Sequence, residues 1–139
     1  MSYAKYETIG KDKDKKTEQE KDIQSSNLKK VHDISSLQER ETAIKNYPVV
    51  IIDYYTNWCG PCKQCAPKYA ELAEKYEQKG ILFLKENAES GFKTPVKIRG
   101  VPCFHFYFKG NFIDELTVTG ADMEELEKNI LKLLKNNRN

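Results

Sequence analysis

The feature that most constrains the fold is the run V-V-I-I-D-Y-Y-T at positions 49–56. It is almost continuously apolar, β-branched or aromatic, which predicts a strand that is buried on both faces of a sheet. Such a strand needs helices on both sides of the sheet, so the predicted fold class is α/β. Asp53 interrupts the run, and because an aspartate is costly to bury, its presence there indicates a functional reason.

The rest of the pattern predicts one folded domain, which suits a length of 139 residues. Residues 1–28 are almost entirely charged or polar, so we expect a disordered N-terminal extension that the chemistry does not need. Residues 29–139 form the predicted domain. Its elements follow the order β-α-β-α-β, an irregular crossover, then β-β-α, which predicts a mixed central sheet with helices on both faces.

Periodicity and capping signals place the individual elements. Ser36 followed by Glu39 is a capping box and predicts the start of the first helix. The helix after the cysteines ends at Gly80, and a last helix covers 122–135. Strands are predicted near 28–34 and at 49–56, 81–87 and 101–108, with an alternating hairpin partner at 112–119.

The charge balance argues against two classes of binding protein. Lys and Arg total 23 against 21 Asp and Glu, whereas a dedicated binder of nucleic acid or anionic membranes shows a basic patch or stripe. No apolar run has the length of a membrane span, and the first residues, M-S-Y-A-K-Y-E-T, lack the apolar segment of a secretory signal. We therefore expect a cytoplasmic protein that binds neither nucleic acid nor membranes.

Three of the four cysteines, Cys59, Cys62 and Cys65, lie within seven residues just after the buried strand. Positions 59 and 62 share one side of a first helical turn, close enough for their sulfurs to bond. The free N–H groups and the positive dipole end of a helix N-terminus stabilise a thiolate, which is the nucleophile in disulfide exchange. Pro61 suits an early helix position, and Gly60 has no side chain to obstruct a substrate.

Metal binding and plain core packing are the alternatives to a redox pair. An iron–sulfur ligand run would need a further cysteine near Tyr69, and none is there. A zinc site could recruit Cys103 or His105 as its fourth ligand, but Cys65 falls on the apolar stripe of the predicted helix. We therefore expect no metal, with Cys65 in the core and Cys103 either a buried side chain or a third redox thiol.

The motif W-C-G-P-C-K at 58–63, which follows a strand containing an aspartate and precedes I-R-G-V-P at 98–102, resembles the thioredoxin family. The resemblance covers roughly residues 29–136. It implies the thioredoxin fold, with a mixed central β-sheet flanked by helices on both faces. Two positions depart from the family pattern: Tyr55 stands where many members carry a second tryptophan, and Cys103 stands where threonine is usual.

Resemblance and residue chemistry together predict a protein thiol–disulfide oxidoreductase that reduces disulfides in protein substrates. Cys59, exposed at the helix start, is the expected nucleophile, and Cys62 is the resolving thiol. Asp53, buried beneath the disulfide, transfers the proton, and Lys85 accompanies it. The resemblance also implies that Pro102 is a cis-proline facing the disulfide. The expected substrate-binding residues are Trp58, Gly60, Pro61, Val101 and Pro102.

The family implies how the pair is recharged. The redox-active disulfide Cys59–Cys62 is expected to work without a bound cofactor, and an NADPH-dependent thioredoxin reductase is the expected electron donor. Two other functions stay open at this point. One is a thioredoxin-fold binding or assembly module with secondary redox activity, and the other is a disulfide oxidase or isomerase, which the Gly-Pro pair between the cysteines disfavours.

Overall fold

The computed structural model describes residues 30–136, so the predicted extension at 1–28 lies outside the described residues. Short 3₁₀ turns at Glu77–Lys79 and Asp114–Leu116 supplement the strands and helices. Within residues 30–136, no helix is both long enough and apolar enough to span a lipid bilayer. The elements are β1 (Val31–Asp33), α1 (Leu37–Asn46), β2 (Val49–Tyr55), α2 (Gly60–Tyr76), β3 (Ile81–Asn87), β4 (Cys103–Phe108), β5 (Asn111–Phe112), β6 (Val118–Thr119) and α3 (Met123–Asn136).

The strands form one mixed sheet with β2 at its centre, in the order β1-β3-β2-β4-β5, and β6 also pairs with β4. β2 runs parallel to β3 and antiparallel to β4, and β1 runs parallel to β3. Two parallel pairs need crossover connections, and α1 and α2 supply them. The predicted mixed α/β fold is therefore confirmed.

Alternation along β2 divides its side chains between two cores on opposite faces of the sheet. Ile51 packs with residues of α2 and α3, whereas Ile52 packs with residues of α1. Every side chain from Val49 to Tyr54 is buried, as the continuous apolar run predicted. Asp53 is two residues after Ile51, so it lies on the face that α2 covers, beneath the cysteines.

Helix α2 begins at the cysteine motif because its first turn has the residues that a helix N-terminus accepts. Cys59 is the N-cap, with extended backbone angles, and Pro61 lies in the first turn, where a missing N–H costs nothing. The buried stripe then repeats at helical spacing and includes Cys62, Cys65 and Tyr69. The helix continues into a 3₁₀ turn and ends at Gly80, whose φ of 85° is the left-handed conformation that glycine tolerates.

The predicted hairpin partner at 112–119 is not one continuous strand. β5 ends at Phe112, and a 3₁₀ turn follows before β6 pairs with the start of β4. Leu116 in this turn is buried in the core beneath α2 and α3, and its carbonyl accepts a hydrogen bond of 3.0 Å from Asn129 of α3. Packing against α3 thus overrides the alternating pattern that predicted a strand.

A buried ion pair fastens α1 to the sheet. The predicted cap is present, since Ser36 Oγ accepts the Glu39 N–H at 3.0 Å. One residue later Arg40 is only 2% exposed, and its guanidinium donates to both carboxylate oxygens of Glu86 on β3, at 2.9 and 3.2 Å. It also donates to the carbonyl of Lys93 at 2.7 Å, which ties the irregular segment after β3 to the same helix.

Breaking this pair from one side should destabilise the fold strongly. Replacement of Glu86 by Gln leaves the Arg40 charge buried without its counter-charge, so we expect the free energy of unfolding to fall by about 3 kcal/mol. The double replacement Arg40→Met with Glu86→Leu removes both charges and should recover most of that loss. Urea denaturation measures all three proteins. A loss below about 0.5 kcal/mol in Glu86→Gln, the size typical of an exposed pair, would contradict the assignment.

Candidate active site

The end of β2 delivers Cys59 and Cys62 to one helical turn, where their sulfurs form a disulfide with a Cα–Cα separation of 5.3 Å. Cys59 Sγ also accepts a hydrogen bond of 3.1 Å from the backbone N–H of Cys62. That N–H is one of the groups that a helix start leaves without an intrahelical partner. The same donor and the helix dipole stabilise negative charge on this sulfur once the disulfide is reduced.

A groove of about 470 Å³ runs past the Cys59 side of the disulfide. Four of the five predicted substrate-binding residues line it, and the Val101 carbonyl lies 3.7 Å from Cys59 Sγ. A Cβ added to Gly60 would meet nothing within 4 Å, so the glycine leaves this approach open. The lining residues among the predicted set are Trp58, Gly60, Pro61 and Val101.

Trp58 and Pro102 differ in exposure to solvent. Trp58 is 70% exposed, and its indole Nε1 donates a hydrogen bond of 2.9 Å to Glu89. The Val101–Pro102 peptide bond is cis, as the resemblance implied, and Pro102 is buried rather than part of the groove lining. The Pro102 carbonyl accepts the Gly120 N–H at 2.7 Å, and proline has no N–H of its own.

A second cavity of about 200 Å³ lies on the Cys62 side of the disulfide, and we call it the inner cavity because it reaches the buried Asp53. Exposed residues such as Lys63 at its rim leave it partly open to solvent. Cys62, Asp53 and Lys85 all line it. Asp53 is 4% exposed, and its Oδ1 is buried without a hydrogen-bond partner among residues 30–136. Lys85 is the residue opposite Asp53 on the adjacent parallel strand. The three residues that were predicted to transfer the proton and resolve the mixed disulfide therefore border one space.

Burial sets the acidity of Asp53. Loss of hydration raises the pKa of this carboxyl from 3.8 to about 7, because the ionised form loses most in a buried site. The positive charge of Lys85 lowers the pKa of Asp53, and the negative charge of Asp33 raises it, but both effects are smaller than desolvation. A carboxyl with this pKa exchanges its proton near neutral pH, as a general base or acid requires.

Exposure does not distinguish the two cysteines, and the expectation of an exposed Cys59 was wrong. Cys59 is 4% exposed and Cys62 is 6% exposed. The two cavities separate them instead. Cys59 borders the outer groove, whereas Cys62 borders the inner cavity with Asp53.

The other two cysteines are free and buried. Cys65 packs in the core beneath α2, as predicted, and burial raises the pKa of its thiol to about 11. Burial also raises the pKa of Cys103, whose sulfur lies 3.8 Å from Thr119 Oγ1. His105 is buried between two aromatic rings, and burial lowers its pKa to about 4. Over residues 30–136, no group of three or more His, Cys, Asp or Glu side chains is placed to hold a metal ion.

Two polar residues of the site were not predicted. Glu89, which holds the Trp58 indole, lies 31 residues along the chain in an irregular segment, and no local pattern points to it. Asp33 acts on Asp53 from β1. Only the strand order, with β3 between β1 and β2, brings the two aspartates to the same part of the sheet.

Comparison with known proteins agrees with this geometry. The thioredoxin family model matches residues 31–132. A thioredoxin of Coprinus comatus is 36% identical over 103 residues, which are 73% of this chain and 95% of that protein. An H-type thioredoxin of Populus jackii is 35% identical, over 70% of this chain and 68% of that protein. Among solved structures, the long form of thioredoxin F from spinach chloroplast matches with a TM-score of 0.66 and 32% identity, over 76% of this chain and 87% of that chain.

The raised pKa of Asp53 predicts a stability that depends on pH. The folded state binds this proton more tightly than the unfolded chain does, so the free energy of unfolding falls as the pH rises from about 4 to about 7. Asp53→Asn cannot ionise and should be more stable than the native protein by about 4 kcal/mol near pH 8, with little difference near pH 4. Urea unfolding of the oxidised proteins measures this, with the exposed replacement Asp114→Asn as control. An equal effect at both pH values would contradict a raised pKa.

Proposed function

The chain belongs to the thioredoxin family and is a thioredoxin-type protein disulfide reductase, and we propose that Cys59 and Cys62 have different roles in the reaction. Cys59 attacks the substrate disulfide and Cys62 resolves the mixed disulfide. The observation that carries this proposal is the separation of the two cavities. Cys59 borders the groove that a polypeptide can reach, and Cys62 borders the cavity that contains Asp53.

The first step is nucleophilic attack by the Cys59 thiolate on one sulfur of the substrate disulfide. A bond forms between Cys59 Sγ and that sulfur, the substrate S–S bond breaks, and the other substrate sulfur leaves as a thiolate that takes a proton from water. The Cys62 N–H, 3.1 Å from Cys59 Sγ in the oxidised protein, supports the attacking thiolate. The N-terminal end of α2 adds its dipole, so the nucleophile is present near neutral pH.

In the second step Cys62 attacks Cys59 Sγ and releases the reduced substrate. The Cys62 thiol must lose its proton, and Asp53 accepts it across the inner cavity, directly or through water, for which about 200 Å³ is enough space. The Cys59–Cys62 bond forms, the mixed disulfide breaks, and the second substrate thiolate is protonated. The product is the oxidised pair that this structure contains. When the pair is later reduced, the protonated Asp53 returns the proton to Cys62.

Lys85 influences the ratio of ionised to protonated Asp53. Because its positive charge lowers the pKa of Asp53, Lys85 increases the ionised fraction that accepts a proton at neutral pH. The substrate polypeptide lies in the outer groove against Trp58, Gly60, Pro61 and Val101. Pro102 has no free N–H, so its contribution is to shape the segment and present Val101 beside Cys59.

We propose that electrons reach the pair from an NADPH-dependent flavoprotein reductase, and that the protein itself holds no cofactor. The chemistry needs only a dithiol that another enzyme can reduce by the same exchange reaction. The cytoplasmic location stays a prediction. Relatives with names such as the chloroplastic thioredoxin F2 of Arabidopsis thaliana belong to a different compartment, so family membership alone does not decide the location.

Insulin reduction tests the assignment of the cysteines. Cys59→Ser should reduce insulin no faster than the dithiothreitol background, because the nucleophile is lost. Cys62→Ser should accumulate as a mixed disulfide with insulin through Cys59, because the resolving thiol is missing. The matched control is Cys65→Ala, which removes a buried thiol one turn farther along the helix and should keep most of the activity.

The same assay tests the electron donor when NADPH and a thioredoxin reductase replace dithiothreitol. NADPH should be consumed in proportion to the insulin thiols formed, and only when Cys59 and Cys62 are both present. A Cys59→Ser protein as active as the native one would refute the assignment. Native activity with dithiothreitol but none with the reductase would refute the proposed donor alone.

A further inference from the structure

Lys85 lies between two aspartates on neighbouring strands. The register of β1 with β3 places Asp33 opposite Lys85, and the register of β2 with β3 places Asp53 opposite the same residue. Asp53 is buried, whereas Asp33 is exposed at the edge strand. One cation therefore has two candidate partners, one inside the protein and one at its surface.

Tyr55 connects the outer aspartate to the lysine. Its hydroxyl donates to the Asp33 carboxylate, at 3.0 Å from Oδ2 and 3.3 Å from Oδ1. The Lys85 ammonium lies over the face of the Tyr55 ring, 5.1 Å from the centroid, which is within the range of a cation–π contact. Tyr55 and Lys85 line the same cavity as Asp53.

We propose that Asp33 is a positioning residue for the proton transfer at Asp53. Held by the Tyr55 hydroxyl at the strand position opposite Lys85, Asp33 supplies a negative charge that opposes the stabilisation of the Asp53 carboxylate by Lys85. Asp53 then keeps a proton at neutral pH for part of the time, as a group that must both accept and return one needs. This inference deepens the proposed function and rests on the role of Asp53 in it.

The charges around Asp53 agree with this role. Asp33 raises the pKa of Asp53 and Lys85 lowers it, on top of the larger rise from burial that brings it to about 7. From α2, the thiols of Cys62 and Cys65, the phenol of Tyr69 and the ammonium of Lys63 also approach the cavity or the carboxyl. From β4, the thiol of Cys103 is close enough to Asp53 to interact with its charge. Among these groups, Asp33 and Lys85 are the pair whose positions Tyr55 couples.

The experiment compares the pH dependence of Asp53 in the native protein with that in Asp33→Asn. Asparagine keeps an oxygen that accepts the Tyr55 hydrogen bond but loses the charge, so nothing at position 33 opposes the effect of Lys85 on Asp53. The midpoint of the Asp53 carboxyl titration, followed by carbon NMR, should fall by about 0.5 pH unit. The pH profile of the resolving step should move by the same amount, with the fluorescence of the single tryptophan, Trp58, as its signal.

Three further variants separate this role from a structural one. Tyr55→Phe loses only the hydroxyl that holds Asp33, and should shift the midpoint in the same direction by a smaller amount. Asp114→Asn makes the same replacement at an exposed residue beyond the opposite edge of the sheet and should leave the midpoint unchanged. In a Lys85→Met background, Asp33→Asn should still lower the midpoint, because the charge of Asp33 acts on Asp53 itself. Thermal unfolding verifies that all variants are folded.

The outcomes distinguish this inference from the proposed function. If Asp53→Asn leaves the pH profile of the resolving step unchanged, Asp53 is not the proton acceptor and both proposals fail. If Asp53→Asn abolishes the profile but Asp33→Asn does not move it, only the role of Asp33 is overturned. A shift from Asp33→Asn that vanishes without Lys85 would show that Asp33 acts only through Lys85 and would overturn the direct opposition of the two charges.

Discussion

Burial of β2 from Val49 to Tyr54 is the constraint that positions the active site. Helices cover both faces of this strand, so the position of its C-terminal end is fixed. Cys59 follows that end and therefore lies at a defined position next to Val101. The same burial brings Asp53 out of water and raises its pKa to about 7. The strand that stabilises the fold therefore also creates the acid–base group that the chemistry uses.

The two sulfurs of the disulfide have different surroundings because they border different cavities. The outer groove presents Cys59 with a helix N-terminus, an exposed tryptophan and the segment around Val101. The inner cavity borders Cys62 and is also lined by one carboxyl, two lysines and two tyrosines. Nucleophilic attack needs access to a large substrate, whereas resolution needs a proton acceptor near Cys62. The geometry satisfies both requirements within one helical turn.

Local sequence predicted much of this. The apolar run of β2, the capping signal at Ser36 and the spacing of the α2 stripe each depend on neighbouring residues, and the structure has all three. The break in the hairpin after β5 was missed because packing of Leu116 against α3 is not a local property. Electrostatic contacts such as that of Asp33 with Asp53 depend on strand order and register, which no single segment encodes.

Iodoacetamide alkylation of the reduced protein near neutral pH, with mass spectrometry of the peptides, gives the order in which the cysteines react. We expect Cys59, at the groove and the helix N-terminus, to be alkylated first and Cys62 much more slowly. Cys65 and Cys103, which are buried with raised pKa values, should stay unmodified in the folded protein. Alkylation of Cys62 or Cys103 before Cys59 would contradict the division of roles between the two cavities.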